Sequence, residues 1–122
     1  MIALIMAIGL AQAAAEPQWR PYAHTTQGDG FVDLASLTRD GDTFEITTRV
    51  IFSPTHHGVH GVLARVHLNC ARRTYRLLRG TELGSDGSRL RESTPPDDRL
   101  AEDQPVETNS PPAQLLAEFC PH

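Results

Sequence analysis

Hydrophobic and polar positions alternate most cleanly in the middle of the chain. In TFEITTRVIFS, residues 43–53, Phe44, Ile46, Thr48, Val50 and Phe52 share one side of a period-two repeat, while Glu45, Thr47 and Arg49 share the other. That pattern, dense in Thr, Val, Ile and Phe, predicts a half-buried strand of an antiparallel sheet. From Gly61 to Cys70 the alternation returns, with Val62, Ala64, Val66, Leu68 and Cys70 on one side and Arg65, His67 and Asn69 on the other. A third strand is expected from Thr74 to Thr81. With an even loop of two or four residues centred on Ala71-Arg72, Leu68 falls opposite Tyr75 and Val66 opposite Leu77. Opposed residues share a face, so an even loop keeps one face apolar and an odd loop breaks the match.

Shorter signals flank these strands. Trp19 to Ala23 reads as a first strand, which Pro21 confines to an edge or a strand start. TTQGDG, residues 25–30, is turn chemistry, and Phe31-Val32 begins a second short strand. In DLASLTRDGD, Asp33 is expected to cap a single helical turn that ends at Asp40-Gly41. GSDGS, residues 84–88, predicts a hairpin turn with Asp86-Gly87 at its tip, followed by a closing strand from Arg89 to Ser93. From Thr94 to Asn109 the chain is polar, acidic and without periodicity, as expected of a crossing loop.

At the end the period changes. Ser110 is placed as N-cap and Pro111 at the first helical position, and Leu115, Leu116 and Phe119 line an apolar stripe that carries Cys120 beside it. The expected fold is α+β and mainly β: a single antiparallel sheet of about five or six strands, with a short C-terminal helix packed on one face.

Composition adds a compartment. Met1 to Leu10 is an apolar run followed by Ala11-Gln12-Ala13, the form of a secretory signal peptide and too short for a membrane span of about 20 residues. Residues 1–15 are therefore expected to be a cleaved signal and residues 16–122 a single small domain, exported to the periplasm or cell surface with no stable membrane insertion after cleavage. The chain carries 11 basic and 15 acidic residues, a net charge of −4, which argues against a general nucleic-acid binder. All the basic residues are Arg. Its two cysteines, Cys70 and Cys120, form an even count in an oxidising compartment, which reads as one disulfide; two free thiols or half a metal site are the alternatives. Paired, they pin the C-terminal helix to the apolar face and close a loop of about 50 residues, worth roughly 4 kcal/mol in the chain-entropy model.

Candidate chemistry is sparse. There is no G-x-S-x-G and no glycine-rich loop leading into a helix, so neither a serine nucleophile nor a phosphate cradle is indicated, and no enzyme and no cofactor are expected. His56-His57-Gly58-Val59-His60 holds imidazoles that suit zinc or copper, with His57 and His60 as weak candidate ligands. The spacing matches no strong metal signature, and a polar hairpin loop is the simpler reading. Arg65, Arg72, Arg73 and Arg76 are the candidate partner-binding residues, offered to an acidic polymer or a partner protein, with a solvated outer face as the default. Arg79 is expected on the inner face near its rim, where it needs a carboxylate.

The order of segments resembles one family. A Trp soon after the signal, FVDLASLTRDGD, a strand ending TTRVIFS, HLNCARRTYRLLRGTE, a D-G turn and a closing PVETNSPPAQLLAEFC are similar to the surface-adhesin protein E family of Gram-negative bacteria, from about Trp19 to Cys120. The resemblance implies a single antiparallel sheet with a C-terminal helix tied to its concave face, the cysteines carrying over onto Cys70 and Cys120. It also implies adhesion to host matrix and serum proteins such as laminin, vitronectin and plasminogen. The alternative on the same scaffold is a periplasmic envelope-interaction protein without adhesion. Open sheet edges would also suit a homodimer.

Overall fold

The structure is a computed structural model that describes residues 16–56, 58–93 and 102–121. Six strands follow one another as an antiparallel meander: β1 (Trp19–Thr25), β2 (Gly28–Asp40), β3 (Thr43–His56), β4 (Val59–Asn69), β5 (Thr74–Leu83) and β6 (Arg89–Ser93). A two-residue strand β7 (Gln104–Pro105) adds to β5 beside Thr74 and Tyr75, and a single helix α1 (Pro111–Phe119) closes the described chain. The signal segment expected over residues 1–15 lies outside the described residues.

The central register is the one the alternation predicts. Leu68 pairs with Tyr75 and Val66 with Leu77, across a four-residue turn formed by Cys70 to Arg73. Arg73 takes a left-handed conformation there (φ 55°), and the Asn69 side chain accepts the Arg72 N–H at 2.9 Å. Gly41 and Gly87 take the positive φ that the β2–β3 and β5–β6 turns require. In the second of these, the Ser88 hydroxyl and then the Ser88 N–H donate to the Asp86 carboxylate and lower its pKa.

Two expectations about local structure are corrected. Residues 33–42 form no helical turn. Instead β2 runs from Gly28 to Asp40, with an irregularity between Asp33 and Thr38. Asp33 does offer its carboxylate locally, but to the N–H groups of Gln18 and Ala35, which ties β1 to the bulged stretch. The bulge turns Leu34 and Leu37 towards the core, and packing of those two side chains outweighs the local capping signal. The second correction is Arg79, which lies on the outer face. Arg65 pairs with Arg79 while Val66 pairs with Leu77, so Leu78 is an extra, bulged residue that reverses the facing of everything after it.

The core lies between one half of the inner face and α1. Val32, Phe44, Ile46 and Leu68 from the sheet meet Leu115, Leu116 and Phe119 from the helix, and all are buried. Fully burying side chains of this kind stabilises by about 1.5–3 kcal/mol each before ordering costs. The Phe44 and Phe119 rings sit 5.7 Å apart in a tilted pair. Ser110 caps the helix by accepting the Ala113 N–H, with Pro111 and Pro112 opening it. At its other end, Arg39 donates to the Phe119 carbonyl at 2.7 Å, Arg20 pairs with Glu118, and the Cys70–Cys120 disulfide joins the helix end to the β4–β5 turn. Among the described residues, no helix is long and apolar enough to cross a membrane.

Candidate functional site

α1 packs on half of the inner face, and the outer face carries most of the sheet's charged side chains. The strand register lays it out in rungs. One rung runs Trp19, Asp33, Thr47, Arg65, Arg79; the next runs Pro21, Phe31, Arg49, Leu63, Thr81, Glu92. A third carries Asp29, Ile51, Gly61, Leu83 and Arg89. A further bulge, at Leu90 between β5 and β6, keeps Arg89 and Glu92 on this face while Arg91 turns to pair with Glu82.

The face has two halves. Over β1–β3, the Arg49 guanidinium lies on the Trp19 ring at 4.3 Å and faces the Phe31 ring at 5.7 Å. A cation held this way is orientated by the ring quadrupoles. Its Nε is buried without a hydrogen-bond partner, so stacking is what holds the group. Over β4–β6, a groove of about 410 Å³ is lined by Thr47, Leu63, Arg65, Arg79, Thr81, Arg89 and Glu92 among others.

Inside that groove the three arginines are held differently. Arg65 is mostly buried, with its side chain 22% exposed, and donates to the Ser36 carbonyl at 2.8 Å and to the Thr47 and Thr38 hydroxyls. Glu45 lies 3.8 Å from it and also takes the His67 ring nitrogen at 3.0 Å. Arg79 and Arg89 are 61% and 65% exposed and share a single carboxylate, Glu92, at 3.6 and 3.8 Å.

Of the four arginines expected to bind a partner, the structure brings only Arg65 into the groove. Arg72 and Arg73 are exposed on the β4–β5 turn, at the end of the sheet that carries the disulfide. Arg76 stands on the outer face opposite His67 but is paired with Asp103 at 3.5 Å. Arg49, Arg79 and Arg89 are the residues the sequence reading missed. The bulges that place Arg79 and Arg89 leave no periodic signal, whereas Arg49 was legible as an outward position on β3.

The histidine loop does not assemble into a site in what is described. His57 lies outside the described residues, and His60 holds its Nδ1 buried without a hydrogen-bond partner. Among the described residues, no group of three or more His, Cys, Asp or Glu side chains is placed to hold a metal ion. On the inner face, Tyr22 packs against the core, and burial pushes its hydroxyl above the ordinary phenol pKa despite a hydrogen bond with Thr48.

No family model, no curated protein and no solved structure matches the chain. The resemblance to protein E therefore rests on the ordered segments quoted above.

Proposed function

We propose that this is an exported, non-catalytic binding protein of the bacterial cell envelope, of the adhesin-E type, which takes host matrix or serum proteins on the outer face of its sheet. The observation that carries the reading is the division of labour between the two faces. One half of the inner face is spent on α1, which a disulfide, a charged hydrogen bond and an ion pair hold in place. The outer face presents stacked Trp19, Arg49 and Phe31 beside a groove with three arginines. Trp and Arg are the residue types that most often dominate binding energy at protein interfaces. Leu90 is the exposed large apolar residue among the described positions. Recognition is thus a matter of aromatic and arginine contacts and not of a broad greasy patch.

The test has two parts. An antibody to residues 16–122 is applied to intact cells and to cells with a permeabilised outer membrane; surface signal is expected. Purified protein is then bound to immobilised laminin, vitronectin and plasminogen. A Trp19→Ala variant is expected to weaken capture about tenfold, the loss of one interface anchor. Gln114→Glu, on the exposed side of α1, is expected to leave capture unchanged. Signal only after permeabilisation would assign the protein to the periplasm and end the adhesion reading.

A further inference from the structure

We propose that the groove over Arg65, Arg79 and Arg89 is a carboxylate-binding subsite that receives an acidic side chain from a peptide segment lying across the outer face. The proposal deepens the reading of that face as the binding face and rests on it.

Three features of the groove point to this chemistry. Charge is the first. Three guanidinium groups face Glu92, which two of them share, and Glu45, which Arg65 shares with His67. The groove therefore holds surplus positive charge on a chain whose net charge is −4. The second feature is readiness. Arg65 is already fixed by the Ser36 carbonyl and two threonine hydroxyls, so a ligand does not have to order it. Arg79 and Arg89 reach Glu92 only at ion-pair distance, and each guanidinium carries five N–H donors in a fork that matches a carboxylate. A ligand carboxylate would thus find one rigid cation at the floor and two forks at the rim.

Shape and surroundings are the third feature, and they favour a peptide over a sulfated or phosphorylated polymer. A groove of about 410 Å³ accommodates a side chain and its neighbours, not an extended chain of charges. Leu63 forms part of its wall, and along the same rung stand Arg49 and Phe31. Asp29, Asp33, Glu45 and Glu92 all stand on the outer face as well. A polyanion crossing the face would meet those carboxylates in turn, whereas a peptide with isolated acidic positions and apolar ones between them would not.

The probe is a fluorescein-labelled peptide of alternating Glu and Val, compared by anisotropy with its Gln–Val counterpart, using the purified protein. The Glu–Val peptide is expected to bind about tenfold more tightly, with a preference that weakens as salt is raised. Arg79→Gln/Arg89→Gln, both at exposed positions, is expected to erase the preference while the melting temperature stays within a few degrees. Glu92→Gln removes the competing carboxylate and is expected to tighten the acidic peptide several-fold, a gain that a merely structural role for Glu92 would not produce.

Equal affinity for the two peptides, or weaker acidic-peptide binding in Glu92→Gln, overturns the proposal. A sulfated hexasaccharide that binds more tightly than the peptide and is lost in the double variant overturns it in favour of an acidic glycan. The two readings fail separately. Matrix-protein capture with no peptide preference ends the subsite and leaves the outer face standing. A peptide preference in a protein that never reaches the cell surface keeps the subsite and ends host adhesion.

Discussion

Removing the disulfide should cost this domain a large share of its stability and should free the helix first. Cys70 and Cys120 are 50 residues apart in sequence, and a cross-link closing a loop of that length restricts the unfolded chain by about 4 kcal/mol in the loop-entropy model. Domains of this size hold about 5–15 kcal/mol in all, and about 1 kcal/mol moves the midpoint of melting by about 4–8 °C. A Cys70→Ala/Cys120→Ala variant is therefore expected to melt about 15–30 °C lower.

The order of events follows from the helix itself. At nine residues, α1 is shorter than the roughly 12–15 needed for a helix that is even marginal alone, so docking maintains it. Without the cross-link, docking depends on Leu115, Leu116, Phe119, the Arg39 hydrogen bond and the Arg20–Glu118 pair. Guanidinium unfolding gives the global loss, and native-state hydrogen exchange gives the local one. In the variant, the Gln114 and Cys120 amides, which bond to the Ser110 and Leu116 carbonyls, should exchange well before those of β3 and β4. Wild-type protein under reductant should reproduce both results. A global loss below about 1 kcal/mol, or unchanged protection in α1, would refute the reasoning, because either outcome would mean that the sheet holds the helix without help from the cross-link.

Three further outcomes test the packing. Leu116→Ala removes a side chain only 1% exposed between helix and sheet and should destabilise by about 2–5 kcal/mol in the same denaturation assay. Gly28→Ala places a Cβ 2.2 Å from the Ile51 carbonyl oxygen, closer than backbone can yield, and should cost about 1–3 kcal/mol; Gly41→Ala, where a Cβ meets nothing, would cost only the strain of its positive φ. The buried Tyr22 hydroxyl keeps its proton to higher pH in the folded protein than in the unfolded chain, where it is lost near 10. The unfolded state therefore binds fewer protons above pH 10, and stability should fall with rising pH there, by at most about 1.4 kcal/mol per pH unit. Urea midpoints at pH 8 and above pH 10 should show a smaller drop in Tyr22→Phe than in the wild type.

What could be read from the sequence follows from how local the cause is. The β4–β5 pairing was legible because an apolar face must stay apolar across both strands, which selects an even turn; Leu68 opposite Tyr75 is that constraint realised. The helix was legible because Ser110, Pro111 and the Leu115–Leu116–Phe119 stripe are signals within fewer than about three turns of chain. Asp33 misled for the opposite reason. Its carboxylate offers the local chemistry of a helix cap, yet the same carboxylate bonds Gln18 and Ala35 within a bulged strand, and the choice between them is made by Leu34 and Leu37 reaching the core. The two-residue β7 was illegible outright, since it exists only through its bonds to β5.

The site was harder to read than the fold because it depends on two inserted residues. In a regular β5, Arg65 would face Leu78, and Arg79 would point with Ala64 towards the inner side. The bulge at Leu78 brings Arg79 level with Arg65 instead, and the bulge at Leu90 does the same for Arg89 against Leu83. Neither bulge changes the length of a turn, and Leu78 beside Leu77 and Leu90 within the polar run SRLRES are single apolar residues that alternation alone does not identify as insertions. Both lie on the strands that line the groove. An inserted residue in a sheet costs ladder hydrogen bonds and is retained where it re-aims a side chain. Here the two insertions together collect on one face three arginines that uninterrupted alternation would have divided between two. A sheet that needed only to cover its helix would have no use for them, and the proposed binding through the outer face is the use that the three collected arginines would serve.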